Sequence, residues 1–260
     1  MAFKYQAKEN RLFIVLGSFF VANAILSEFI GVKIFSVERS LGLPIFDMNL
    51  FGVPHLSLNM SAGVITWPFV FIMTDIINEY FGIRGVRFLS NLTVILIIYA
   101  FFITGLAINL VPSDFWIHRV TDSGEHLHMN DAFSNVFGQG MWIIVGSIFA
   151  FMIGQLVDVF VFHKLKKITG EKFLWLRATG STLISQLIDS FVVILIAFYL
   201  NPAFHWSLQM VLAIGLVNYL YKFLVALLIT PLLYIIHAII DRYLGKNLSQ
   251  KLMHEAVNEV

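Results

Sequence analysis

The chain has no cysteine in 260 residues. That excludes disulfides and thiolate metal sites, without fixing a compartment. Charge is also scarce. Asp, Glu, Lys and Arg make up 13% of the chain, against about 25% in a soluble domain. No G-x-x-x-x-G-K-[ST] run occurs, so the chain does not itself hydrolyse ATP through a phosphate-binding loop. A formal net charge of +1 gives no reason to expect a nucleic-acid partner. What fills the chain is apolar. Hydrophobic residues make up 58%, with 26 Phe, and the mean hydropathy is +0.83. Barrel strands alternate apolar and polar residues. Here the apolar runs are continuous and about twenty residues long, the length of a membrane-crossing helix. The composition therefore predicts an all-α integral membrane protein.

Six spans are expected in one integral membrane domain over 1–260, at about 12–35, 61–80, 88–111, 140–163, 179–200 and 209–238. The first begins like a signal peptide, and Ala22-Asn23-Ala24 resembles a cleavage site. Its apolar run is too long for one, so it is expected to stay as a helix. Pro231 is expected to kink the last span. With a cytoplasmic N-terminus, thirteen Lys and Arg fall on inner segments and only Arg39 and Arg119 on outer ones. The inner set includes Lys164, Lys166, Lys167, Lys172 and Arg177. That bias places both termini in the cytoplasm. Two outer loops are long, at 36–60 and 112–139. Asp122, Glu125, His126 and His128 in the second are ligand types for a divalent metal, but spacing alone does not build a site. A solvated loop is the simpler reading, and no metal or other cofactor is expected.

Charge inside the spans is costly. Asp75, Asp158, Asp189 and Lys222 lie deep, and each costs about 2.5–3.5 kcal/mol near a helix centre. Glu28, Lys33 and Glu79 lie nearer the ends, where they can snorkel. The deep set must face the bundle interior, pair, or line a wet cavity. Pairing Lys222 with one Asp leaves two acids over, which favours a ligand or ion pathway. Two segments repeat one pattern: "GQLVDVFVF" at 154–162 and "SQLIDSFVV" at 185–193 carry Gln155 with Asp158 and Gln186 with Asp189. Asp75, Asn78 and Glu79 share one helix face, as do Asn218 and Lys222. Small residues nearby, Gly146, Ser147, Ala150, Gly154, Gly180 and Ser181, are expected to serve close packing. Carboxylates accept, lysine donates and amides do both. The set suits a small, donor-rich heterocycle, neutral or cationic, with Trp67, Trp142 and Tyr80 available for stacking.

The stretches "FVFIMTDIINEYFG", "GQLVDVFVFHKLKKITG", "LWLRATGSTLISQLIDSFVVILIAF" and "NYLYKFLVALLITPLLYIIH" resemble the queuosine precursor transporter family, also called vitamin uptake transporters. The resemblance covers about 12–240. It rests on T-D at 74–75, G-Q-x-x-D at 154–158, S-T…D at 181–189 and Y-x-x-K at 219–222 in combination. The family is similar to the substrate-binding components of energy-coupling-factor transporters. The resemblance implies six helices in a bacterial inner membrane and import of 7-cyano-7-deazaguanine or 7-aminomethyl-7-deazaguanine for tRNA modification. It admits a homo-oligomer or a coupling-factor module as partner. The expected substrate-binding residues are Asp75, Asn78, Glu79, Gln155, Asp158, Gln186, Asp189 and Lys222. By depth, Asp189 is the choice for the purine donors, with Asp75 and Asp158 serving the substituent or cavity hydration. Competing readings are a carrier for another vitamin or nucleobase, a structural subunit, and an enzyme using two membrane aspartates. The last lacks a G-x-G-D pattern.

Overall fold

The computed structural model describes residues 7–122, 124–138, 141–169, 173–202 and 205–258. Among these, five helices are long and apolar enough to cross a membrane. They are α1 (Lys8–Ile30), α3 (Trp67–Ile108), α6 (Met141–Thr169), α7 (Leu174–Ile194) with its π-helical continuation Leu195–Tyr199, and α8 (Leu208–Leu244). The protein is an all-α membrane bundle. Many large apolar side chains point outward, among them Val15, Phe102, Phe160 and Leu228. That outward face suits lipid, where the backbone is satisfied within each helix.

The 42-residue α3 is not one rod. Gly82 has φ 66° and ψ −171°, a conformation that glycine adopts without a Cβ clash, and it breaks the helix. Ring contacts with α1 fix the direction of the two arms. Phe13 meets Phe81 and Phe19 meets Phe69, so arm 67–81 runs opposite to α1. Phe13 also meets Phe88 and Phe29 meets Phe101, so arm 83–108 runs along it. The chain reverses at Gly82. The two spans expected at 61–80 and 88–111 therefore meet at a single glycine, with no connecting loop. The start of the second is instead a 3-10 turn (Ala62–Ile65), and Pro68 enters in the first turn of α3, where its missing N–H costs nothing.

Other boundaries shift too. Gly31 ends α1, and Ile34–Ser36 (β1) pairs antiparallel with Asn59–Ser61 (β4). Between them lie α2 (Val37–Ser40) and the hairpin β2 (Met48–Leu50) and β3 (Val53–Leu56), turning at Phe51–Gly52, both with positive φ. The second long loop holds α4 (Asp114–Ile117), the hairpin β5 (His118–Val120) and β6 (His126–His128), and α5 (Met129–Phe137). The C-terminal end of α6 and the N-terminal end of α7 run further than expected, so Lys166 and Arg177 are helical. α8 passes through Pro231 without leaving the helix. A final helix, α9 (Lys246–Asn258), was not expected. Leu248, Leu252 and Met253 pack it onto the core.

Helices α6 and α7 approach closely. A Cβ on Gly146 would lie 3.2 Å from the Val193 carbonyl and 3.4 Å from the Ala197 nitrogen. The packing role expected for the small residues is met there. Phe191 of α7 likewise fills the space beside Gly215 of α8, 2.6 Å from where a Cβ would stand.

Candidate functional site

A pocket opens between the first arm of α3, α7 and α8. Helical spacing delivers its lining as one stripe per element. Trp67, Phe71 and Asp75 come from α3 at every fourth position, Thr179, Thr182 and Gln186 from α7, and Tyr221, Lys222, Ala226, Ile229, Thr230 and Leu233 from α8. Its empty volume is about 590 Å³, counting the part open to the surroundings. Trp67 and Phe71 stack with centroids 5.8 Å apart and form an aromatic wall. Thr179 and Thr230 hydroxyls meet at 3.1 Å and tie α7 to α8.

Three of the expected residues line this pocket: Asp75, Gln186 and Lys222. Lys222 donates to Asp189 in an ion pair across α7 and α8. Asp189 is thereby taken up by a cation, and its carboxylate is not in the lining. The carboxylate that faces the pocket is that of Asp75. Asp75 Oδ1 and Gln186 Oε1 are buried and have no hydrogen-bond partner. Both are acceptors, so the pocket presents unsatisfied acceptors beside one cation. An unmet buried acceptor costs about 1–3 kcal/mol, which a ligand bearing N–H groups would recover.

A second polar layer lies behind. Asp158 is fully buried and accepts from the Ser185 hydroxyl at 3.3 Å, while its Oδ2 has no partner. Gln155 exchanges hydrogen bonds with Thr74, at 3.2 and 3.3 Å. Asn78 is buried, with its Nδ2 unpartnered. None of these three lines the pocket. Further out, Glu28 is buried and accepts from Ser147 at 2.6 Å, instead of snorkelling.

Glu79 has a different setting. Arg177 grips it with two bonds, Nε to Oε2 at 3.1 Å and Nη2 to Oε1 at 2.6 Å. Lys166 donates to the Glu79 carbonyl at 2.8 Å and stands 3.3 Å from its carboxylate. All three side chains are at most 2% exposed. Glu79 is thus bound within the fold, away from the pocket. Sequence reasoning missed Arg177 and Lys166, which read as interfacial loop cations. Tyr80 does not face the pocket either. Its hydroxyl donates to Asp241 at 2.7 Å, where Ser249 of α9 and His237 also converge. The side chain of Trp142 lies outside the described residues.

Among the described residues no group of three or more His, Cys, Asp or Glu is placed to hold a metal ion. In the outer hairpin His118 pairs with His128 across the strands, and His128 contacts Asp131 at 2.9 Å.

Comparison with known proteins gives consistent matches. The family described as "Putative vitamin uptake transporter" matches residues 61–236. A "Probable queuosine precursor transporter" of Bacillus subtilis is 30% identical over 189 residues, covering 72% of this chain and 73% of its own. A protein of the same description from Haemophilus influenzae is 29% identical over 66% of each chain. The "Queuosine precursor transporter" of Escherichia coli is 29% identical, over 67% of this chain and 71% of its own. No solved structure matches. The matched region contains the whole pocket lining.

Proposed function

The chain belongs to the vitamin uptake transporter family, and we propose that within it this protein imports queuosine precursors, the 7-cyano- and 7-aminomethyl-7-deazaguanines, across a bacterial inner membrane. The observation that carries the reading is the pair of buried, unpartnered acceptors in the pocket, Asp75 Oδ1 and Gln186 Oε1. A deazaguanine offers N1–H and an exocyclic amine side by side. A carboxylate takes two such parallel donors, as it does from arginine. Asp75 is the reader of that edge, and Gln186 takes a further donor. Lys222, oriented by Asp189, donates to the ring carbonyl. Trp67 and Phe71 cover the ring face. Asn78 and Gln155 support this layer from behind.

The membrane arrangement follows the same reading. The two arms of α3, running opposite ways from Gly82, each cross the membrane, which gives six crossings with α1, α6, α7 and α8. Both termini are then cytoplasmic, in accord with the lysine and arginine bias.

The test is queuosine in transfer RNA of bacterial cells that can neither make nor import the precursors. Expression of this chain with either precursor at low concentration restores the modification. The Asp75→Asn variant, at equal membrane abundance, does not. A well-expressed parent that restores nothing points to another solute; restoration by the variant removes Asp75 from the site.

A further inference from the structure

Asp75 and Asp158 form a buried pair that ligand binding alone does not explain. They are 5% and 0% exposed, and neither makes an ion pair among the described residues. The cations inside the bundle are engaged elsewhere, Lys166 and Arg177 with Glu79 and Lys222 with Asp189. Each of the two carboxylates keeps one oxygen without a hydrogen-bond partner, Asp75 Oδ1 and Asp158 Oδ2. They are near enough to repel each other. Glu79 of α3 adds to that repulsion at Asp75, and Arg177 of α7 opposes it. From α8 the charged group at the pocket is Lys222. Around Asp158, α7 supplies only the hydroxyls of Ser181, Thr182 and Ser185.

Two neighbouring carboxylates in a low-dielectric interior ionise together only at a cost, and one proton bound to the pair removes the repulsion. The positions of the two acids then decide where the proton goes. Asp75 faces the pocket and Asp158 stands behind it. A ligand that donates N–H groups to Asp75 needs that carboxylate ionised, which makes Asp158 the acid that binds the proton. A protonated Asp158 in turn lifts the like charge that opposes an ionised Asp75. Proton and ligand therefore strengthen each other's binding, and the coupling is reciprocal.

We propose that transport by this protein is proton-coupled, with one proton carried on Asp158 accompanying each substrate inward. The proposal rests on the import reading above. With the pocket facing out, an Asp158 oxygen gains a proton from external water. With it facing in, that O–H gives the proton to cytoplasmic water, repulsion returns, and Asp75 loosens its hold. No other bond changes and nothing is oxidised or reduced.

The experiment uses the purified full chain in liposomes, with the membrane potential clamped. Labelled 7-cyano-7-deazaguanine is the probe, because it is neutral, so that the charge moved with it is the proton's alone. An inward gradient of one pH unit bounds accumulation at about tenfold for one proton per substrate. The parent is expected to accumulate the probe several-fold under that gradient and to lose the effect with a protonophore. Asp158→Asn is expected to exchange labelled for unlabelled probe across the membrane but not to accumulate it. A parent that equilibrates the probe regardless of the gradient overturns proton coupling and leaves the import reading standing. A folded parent that neither takes up nor exchanges either precursor overturns both. Accumulation by Asp158→Asn equal to the parent's removes Asp158 from the proton path and sinks the proposal. A second readout needs no variant: in lightly buffered detergent, probe binding to the parent is expected to take up protons, and binding without proton uptake counts against the proposal.

Discussion

Asp75 and Glu79 stand one helical turn apart on the same arm of α3. Both are buried, at 5% and 1% exposure. Their surroundings are opposite. Glu79 receives two bonds from Arg177 and the ammonium of Lys166. Asp75 receives no cation and leaves an oxygen unmatched. The difference comes from position along the bundle. At the level of Glu79 the end of α6 and the start of α7 bring cations into the bundle; one turn back along α3 they bring the Asp158 carboxylate, amides and hydroxyls instead. Burial alone does not separate an acid that holds the fold from one that holds a ligand. Saturation of its hydrogen-bonding capacity does.

The largest effect that would break this contrast is on the saturated side. Arg177→Met leaves Glu79 buried beside a single ammonium, and breaking a buried pair by removing one partner costs about 3–5 kcal/mol. A steep fall in the melting temperature in detergent, or loss of folded protein from the membrane, is expected. An Arg177→Met protein that melts with the parent would place the triad outside the fold's support. The companion change, Asp75→Asn, is expected to leave the melting temperature level or raise it. Hydrogen bonds to a charged group are worth about 1.5–3 kcal/mol, so precursor affinity should fall roughly ten- to a hundredfold. Measured together, the two variants should separate stability from binding. If Asp75→Asn lowers both alike, the contrast between the two acids fails.

Much of this was legible in the sequence, and what was missed has a physical cause. Continuous apolar runs identify the membrane helices, and the cost of deep charge singles out Asp75, Asp158, Asp189 and Lys222, of which Asp75 and Lys222 line one pocket. The partners of Glu79 escaped notice because lysine and arginine at span ends usually belong to water. Lys166 and Arg177 instead lie in helical turns that extend past the apolar windows. The depth argument favoured Asp189 as the ligand-reading acid, since depth along one helix does not say which neighbour presents a cation. Its partner Lys222 was in view, but the pairing depends on how α7 faces α8. The reversal at Gly82 was hidden for a related reason: a glycine between two apolar helices reads as ordinary until its φ is known.

A smaller effect sharpens the intermediate case, Lys222 with Asp189, which is partly exposed at 20% and 21%. Lys222→Met strands the aspartate and is expected to lower the melting temperature modestly, by less than Arg177→Met. Adding Asp189→Asn removes the stranded charge, so the double variant should recover most of the loss while precursor affinity stays weakened. Thermal melts of the two single variants and the double form a cycle that reads the coupling directly. Additive losses would mean that the pair does not act as a unit.

The smallest expected effect lies outside the membrane-spanning helices, in the loop between α1 and α3. Glu38 is buried, and burial works against its charge. The Leu58 N–H, at 2.6 Å, and the Ser36 hydroxyl, at 2.9 Å, outweigh that cost and hold its carboxyl below the ordinary value of 4.5. A carboxyl with a depressed folded-state value adds stability that is fully present above the ordinary value and is lost as pH falls through the folded one. The loop should therefore stay closed from neutral pH down to about that ordinary carboxylate value, then open as Glu38 takes a proton. Limited proteolysis of the detergent-solubilised chain by an acid-active protease reads this as cleavage within 36–60 that rises only at the acid end. Glu38→Gln should be cleaved at every pH, as its neutral amide does not replace the carboxylate's paired acceptance from Leu58 and Ser36. A loop cut equally in parent and variant across the range would show that Glu38, unlike Glu79, is buried without holding anything in place.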